Sequence, residues 1–357
     1  MPLLSSRAAW EQADYQRELE AIRLKHDLPA LAGAFVTTNG AQLKVATGVR
    51  KVGTEIAVTT DDLWHLGSNT KAMTATLIAI SVEAGKLRWD STLSEVFPKL
   101  KALQGSPLAK LSLTHLLTHR SGLPANTLWA LSLLSGKPLR EQRGMILESV
   151  TGLMEMAAPG AQYLYSNLGY VLAAHMLEEV NDRPWEDLMR DQLFKPLDMT
   201  QAGFGGTGTL GKIDQPWPHL SSGAPTPKNG PSVDNPPVMA PAGAVHAPMA
   251  DWARFIAEHL AGVNGKGKLL KAETYQHLHT APFGGNYAYG WTSLERAWGG
   301  KVITHNGTNT MNYSVTWLAP EKGFAMLACT NSGVDKAPKA LDEVIGLLMR
   351  VQTGGGK

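Results

Sequence analysis

Ser68 and Lys71 stand three residues apart in Leu66-Gly67-Ser68-Asn69-Thr70-Lys71-Ala72-Met73-Thr74-Ala75, at the start of an apolar helical run. Positions i and i+3 share one helix face, so the hydroxyl and the amine can meet. A serine alcohol is a weak nucleophile that needs an adjacent base. An ammonium is costly to bury unless paired, so a buried Lys71 has either partners or a depressed pKa. The chemistry open to such a pair is acyl transfer through a serine ester. Taken alone, Ser68 reads more readily as a helix N-cap than as a nucleophile, and Lys71 as a solvated surface lysine. A serine-x-x-lysine match arises by chance on the order of once in a chain this long, so the pair needs company.

Company follows in a fixed order as Tyr165-Ser166-Asn167 and then His305-Asn306-Gly307-Thr308. With these three motifs the chain resembles the class C β-lactamase-type serine hydrolases, a group that includes D-alanyl-D-alanine carboxypeptidases, other penicillin-binding proteins and family VIII carboxylesterases. Further stretches carry the resemblance over roughly residues 20 to 345: Leu116-Leu117-Thr118-His119-Arg120-Ser121-Gly122-Leu123, Pro196-Leu197-Asp198-Met199-Thr200, Pro241-Ala242-Gly243 and Tyr289-Gly290-Trp291.

The resemblance implies roles. Ser68 is the nucleophile, and the backbone N–H groups of Ser68 and Thr308 form the oxyanion hole that stabilises a tetrahedral intermediate. Tyr165 is the expected base, with Lys71 as its electrostatic support; Tyr163 is the nearest rival but lacks an asparagine two residues on. Asn167, His305 and Gly307 are expected to bind substrate, Asn167 also reading as a helix N-cap. Histidine at 305 departs from the lysine usual in β-lactamases. A histidine is only fractionally charged near neutral pH, which weakens the case for efficient penicillin hydrolysis and leaves the acyl chemistry intact.

The expected function is therefore that of a cofactor-free serine hydrolase acting through an acyl-enzyme on a small ester, lactam or short peptide, with esterase favoured over efficient β-lactamase. The alternatives are a D-amino-acid peptidase, an acyltransferase, or a penicillin-binding-type protein that does not turn over.

Composition agrees with an ordinary globular protein. Of 357 residues, 43% are hydrophobic and 18% charged, and 33 Lys and Arg against 31 Asp and Glu leave a net charge of +2. The basic residues are scattered, so nothing points to a nucleic-acid partner. The single cysteine, Cys329, lies in an apolar strand-like run and reads as a buried structural thiol. No run of 18 or more apolar residues predicts a membrane span. Met1 to His26 carries Glu11, Asp14, Glu18 and Glu20 and reads as an amphipathic helix, not a secretory signal. Cytoplasmic residence is the expectation for the sequence as it stands, and export if it is a trimmed mature form.

The elements that must position these residues follow from pattern. Ala32–Thr38 and Gln42–Thr47 read as strands around a turn at Asn39-Gly40. Helix patterns dominate from Ser68 to about residue 200, with Leu111–Thr118, Arg140–Met154, Gly169–Val180 and Trp185–Gln192 and a stop at Gly85 for the first. Strands return at Lys301–His305, Tyr313–Leu318 and Gly323–Thr330 before a closing helix Lys339–Val351. The expected fold class is α+β of the β-lactamase/transpeptidase type, an antiparallel sheet flanked by helices with an inserted all-helical domain. Residues 8–66 and 240–351 would form the sheet domain and 67–239 the helical one. A Gly/Pro-rich stretch at 205–241 is long enough to expect a role at the cleft, and the tail Gly354–Lys357 is expected to be disordered.

Other motifs fail on inspection. The Gly206, Gly208, Gly211 pattern lacks a preceding strand, and the P-loop-like spacings at Gly206–Lys212 and Gly262–Lys268 are followed by Ile213 and Leu269 in place of a hydroxyl. No histidine precedes a glutamate and no G-x-S-x-G occurs. His115 and His119, four apart, have no acidic third ligand beside them and are read as structural. The ten tryptophans, with Tyr287, Tyr289 and Trp291, are read as mostly core, with some of them candidates for the lining of the substrate cleft.

Overall fold

The structure is a computed structural model and describes residues 3–129, 134–152 and 157–352. The expected end of one helix at Met154 and the expected disorder of the tail Gly354–Lys357 lie outside the described residues.

Among the described residues there are nine strands: β1 Ala30–Thr37, β2 Gly40–Gly48, β3 Trp64–His65, β4 Gly203–Phe204, β5 Val245–Ala247, β6 Thr292–Arg296, β7 Gly300–Thr308, β8 Tyr313–Ala319 and β9 Phe324–Thr330. Six of them form one antiparallel sheet in the order β2-β1-β9-β8-β7-β6, so the first strands of the chain pair with the last. The other three form a small sheet in the order β3-β5-β4. Among the described residues, the regular structure between β3 and β5 is helical apart from β4. This is the β-lactamase/transpeptidase-like α+β architecture.

Apolar runs in the central strands are continuous because both faces of the sheet are covered. Successive side chains of a strand point to opposite faces. Ala30, Ala32, Ala34 and Val36 of β1, with Ala325, Leu327 and Cys329 of β9, join the larger core around the helix α2, Thr70–Glu83. Leu31 and Phe35, with Phe324, Met326 and Ala328, join a second core under the closing helix Ala337–Gln352. Tyr15, Leu19 and Ile22 of the first helix, α1 Leu3–Lys25, form the apolar stripe that packs there. At Gly33 the sheet and the closing helix press close together; a Cβ would stand 3.1 Å from Val344 Cγ1. Cys329 is fully buried, and burial pushes its thiol well up, as expected of a structural cysteine.

Boundaries differ from the sequence reading in instructive ways. The β1–β2 turn is Thr38-Asn39, and Gly40, at φ 90°, already opens β2 opposite Thr37. The expected helix from Leu111 begins at Leu113, because Ser112 caps it by accepting the N–H of His115 while His115 Nδ1 accepts the N–H of Ser112. That reciprocal cap gives His115 its structural role. The Gly/Pro-rich stretch runs without regular structure from 205 to 236, yet it is laced to itself and to the sheet. Asn229 Nδ2 donates to the carbonyls of Thr209 and Lys212, Trp217 Nε1 to Thr226, and buried His219 sends its N–H toward Met311 and Asn331.

Candidate active site

Ser68 sits in a single 3₁₀ turn, Gly67–Asn69, immediately ahead of α2. Three contacts pin that turn. Leu66 pairs its N–H with Val245 of β5 at 2.9 Å. Thr70 Oγ1 donates to Gly67 O at 2.7 Å while accepting the N–H of Val245 at 3.0 Å. Asn69 Nδ2 reaches Ser314 Oγ on β8 at 2.8 Å, and that hydroxyl donates to Leu66 O at 2.7 Å.

Two glycines allow the turn to lie directly on β7. Gly67 is left-handed at φ 51°, and a Cβ there would overlap the backbone nitrogen of Thr308. A Cβ on Gly307 would stand 2.6 Å from the nitrogen of Ser68. The backbone segments carrying the Ser68 and Thr308 amides are therefore in contact, with no side chain between them. Gly307 serves this close approach.

One turn into α2, Lys71 is fully buried and its amine stands within hydrogen-bond distance of three partners, Ser68 Oγ at 3.0 Å, Asn167 Oδ1 at 2.8 Å and Ala242 O at 2.7 Å. All three partners are neutral, and burial pushes the amine well below the usual lysine range. Gly290 makes room on the other side; at φ 81°, a Cβ would stand 2.6 Å from the nitrogen of Ala72.

Tyr165 donates its phenol to Ser68 Oγ at 2.7 Å. Burial pushes that phenol above the usual tyrosine range, against the opposing pull of the Ser68 hydrogen bond. Tyr163, the rival candidate, is 45% exposed and holds no such contact among its described hydrogen bonds. Ser166, not Asn167, caps the following helix Asn167–Asn181, accepting the N–H of Gly169 at 3.0 Å. This frees the Asn167 amide for Lys71 on its oxygen and for Asn126 Oδ1, at 3.1 Å, on its nitrogen.

His305 is turned into the protein. Side chains alternate along β7, and 305 falls on the buried side. Its Nδ1 donates to Asn306 O at 2.5 Å and its Nε2 accepts the Tyr287 hydroxyl at 2.9 Å, so both nitrogens are engaged within the protein. Burial and the nearby Lys71 push it down to about 3. The cleft itself, of about 370 Å³, is lined by Ser68, Asn167 and Thr308 together with Asn126, Asn235 and Asn309, and by Trp129, Pro236 and Met239. The end of the 205–241 stretch thus borders the cleft.

Sequence reasoning missed several groups. His119, read as structural, packs its ring 4.3 Å from Tyr165 and 4.5 Å from Tyr287, accepting the Ser166 N–H on Nδ1. Ala242 contributes only a carbonyl, which no side-chain pattern signals, although Pro241-Ala242-Gly243 had drawn notice. Tyr287, read as core, is the partner of His305. Among the described residues no group of three His, Cys, Asp or Glu side chains is gathered to hold a metal ion, and no helix is long and apolar enough to cross a membrane.

Known proteins share this arrangement of chain. Penicillin-binding protein 4 of Amycolatopsis lactamdurans is 27% identical over 359 residues, covering 95% of this chain and 92% of its own. The D-alanine carboxypeptidase AmpC from Burkholderia cenocepacia has the same fold at a TM-score of 0.77 and 17% identity, over 96% of this chain and 99% of its own. An octameric penicillin-binding protein homologue from Pyrococcus abyssi aligns at a TM-score of 0.75 and 20% identity, over 96% of this chain and 77% of its own. The sequence profile of the Beta-lactamase family matches residues 13–348, and with that span the chain belongs to the beta-lactamase family.

Proposed function

We propose that this chain is a serine hydrolase that works through a Ser68 acyl-enzyme, with uncharged esters preferred over β-lactams and D-alanyl peptides. The observation that carries the reading is the unbroken chain Tyr165–Ser68–Lys71, completed by Asn167 and Ala242. Asn167 Oδ1 and Ala242 O can only accept, so they take two hydrogens of a neutral Lys71 amine. Its lone pair then faces Ser68 Oγ, whose other side receives the Tyr165 proton. Every proton in the chain has a place when Lys71 is neutral.

This arrangement supports Lys71 as the immediate base, with Tyr165 as the proton donor, the reverse of the roles expected from sequence. As Ser68 Oγ bonds to the substrate carbonyl carbon, its proton passes to Lys71 and the carbonyl electrons move onto the oxygen. The Ser68 and Thr308 amides would receive that oxyanion. Collapse breaks the bond to the leaving group, which takes the Tyr165 proton. The Lys71 ammonium, 4.8 Å from the Tyr165 ring, then reprotonates the phenolate and both groups are restored. Water repeats the sequence on the acyl-enzyme and releases the acid.

The substrate preference rests on the cleft wall. Its named lining is amide, hydroxyl and apolar, and His305 is turned to Tyr287. Among the described residues a substrate carboxylate has no fixed cation to meet in that lining, whereas a neutral ester has several amide donors.

Intact mass after exposure to a fluorophosphonate, with Ser68→Ala alongside, tests the nucleophile. One adduct on the wild type and none on the variant is expected, and no adduct on either would move the reading toward a binding protein. Relative kcat/KM on a nitrophenyl ester, a cephalosporin and a D-alanyl-D-alanine peptide tests the preference. A higher value on either of the last two would overturn it.

A further inference from the structure

Behind the Ser68 turn lies a second polar cluster that shares no hydrogen bond with the Tyr165–Ser68–Lys71 chain. His65, at the end of β3, accepts the N–H of Gly67 on Nδ1 at 3.2 Å, which leaves the ring proton on Nε2. Nε2 meets Asp234 Oδ2 at 2.8 Å. The other oxygen, Asp234 Oδ1, accepts from Asn309 Nδ2 at 2.9 Å. Asn309 Oδ1 in turn accepts the Met311 N–H at 3.2 Å and Asn312 Nδ2 at 3.1 Å, closing the β7–β8 turn.

The cluster is built, and it is buried: the side chains of His65 and Asp234 are 2% and 4% exposed. Burial works against the Asp234 charge, yet His65 and Asn309 hold the carboxyl below the usual range. A buried carboxylate is tolerated only when its oxygens are satisfied, and here each oxygen has its own donor.

Where the two donors lead is the point. His65 holds Gly67, the residue before Ser68, and Asn309 is the residue after Thr308. One carboxylate from the 205–236 stretch therefore ties together the two backbone turns that carry the oxyanion amides.

We propose that Asp234, acting through His65 and Asn309, is a positioning residue that fixes the spacing and direction of the Ser68 and Thr308 N–H groups. The proposal rests on the reading of those amides as the oxyanion hole. Such donors act only if they are aimed at the oxyanion before it forms, and losing one costs on the order of 10²–10³ in kcat. The position demands a carboxylate. An asparagine offers one oxygen, and its NH₂ would point at an N–H of either His65 or Asn309. Reversing the His65 tautomer does not help, because Nδ1–H would then face the Gly67 N–H.

Asp234→Asn is the variant to make, with Asn309→Ala as a second that leaves the His65–Asp234 pair intact. Hydrolysis of nitrophenyl butyrate and binding of a phenylboronic acid, which turns tetrahedral on Ser68, are measured for both with the melting temperature. For Asp234→Asn the expected result is a fall of at least 10-fold in kcat and kcat/KM together, with KM within about twofold, because the lost interaction belongs to the transition state. Boronate affinity should fall in parallel, and Asn309→Ala should show the same pattern at reduced size. A lowered melting temperature with kcat and boronate affinity unchanged in the folded variants would make the cluster merely structural and overturn the proposal. A rise in KM alone would overturn it too. Failure of the wild type to form a Ser68 adduct would sink the hydrolase reading itself, before any variant is compared.

Discussion

Lys71 Nζ and Ser68 Oγ stand 3.0 Å apart at the head of α2, and the other two partners of that amine are a carbonyl and an amide oxygen. No carboxylate shares the amine's hydrogen bonds, and burial depresses it well below the usual lysine range. A pH consequence follows. The amine is a base only when neutral, so kcat/KM should be lost as pH falls through its lowered pKa and should be flat above it. Lys71→Arg, which keeps a permanent cation, should lose at least 10²-fold in rate, the usual scale of a general base. An acid limb in the ordinary lysine range near 10, or an active Lys71→Arg, would rule out this role.

The same depression has a sign in stability. Between the lowered pKa and about 10.4, the unfolded chain holds a proton on Lys71 that the native chain does not. Unfolding then takes up a proton, so this residue makes stability rise with pH across that window. Lys71→Met should flatten the slope, read as the difference in urea-unfolding free energy between pH 7 and pH 9. An unchanged slope would mean that the native amine is charged.

Tyr165 donates to Ser68 Oγ from a phenol held above its usual range. Tyr165→Phe removes the proton bound for the leaving group while leaving Lys71 its partners. The loss should be at least 10²-fold with an alkoxide leaving group. It should be smaller with a nitrophenolate, which needs no proton to leave. Equal losses on alkyl and nitrophenyl esters would argue that Tyr165 takes the Ser68 proton instead.

How much of this was legible in the sequence depends on how each residue reaches the site. Ser68 and Lys71 are one helical turn apart, so local spacing is enough to bring them together. Tyr165 and Asn167 are nearly a hundred residues away, and only the resemblance joined them to Ser68. His305 shows the limit of a motif: it stands where the motif requires, but strand parity turns it to the buried side, where Tyr287 holds it. Ala242 and Asp234 act through a carbonyl and through a link between distant turns, and no periodicity announces either. The same is true of helix ends, where Ser112 and Ser166 decide the start through caps that propensity blurs.

His305→Ala tests whether this histidine contacts substrate. It would orphan the buried Tyr287 hydroxyl, at a cost of about 1–3 kcal/mol in stability. On a neutral ester, KM should change by less than about threefold, because the ring does not line the cleft. A large rise in KM without loss of stability would return His305 to the substrate.

Arg143 is fully buried between Glu178 and Glu186 and donates Nε to Val238 O at 3.2 Å. Val238 precedes Met239, which lines the cleft, so this pair anchors one cleft wall to the helix Leu139–Val150. Arg143→Met leaves the buried Glu178 and the half-buried Glu186 without their cation and should cost about 3–5 kcal/mol. Chemical denaturation measures that loss. Retained stability would mean that Glu178 finds enough support in His175 and the Trp185 N–H.

Gly67→Ala joins backbone conformation to catalysis. The left-handed φ of 51° disfavours any L side chain, and the added methyl would be driven into the Thr308 backbone nitrogen. The expected relief is a shift of the turn away from β7, against the contacts that pin it, with α2 and the sheet staying in place. That shift would separate the two oxyanion amides. Activity should therefore fall by at least 10²-fold, with Lys71 and Tyr165 still in place and a much smaller change in melting temperature. Near-normal kcat in a folded Gly67→Ala variant would show that the Ser68–Thr308 spacing does not limit the reaction, and would take the Asp234 proposal down with it.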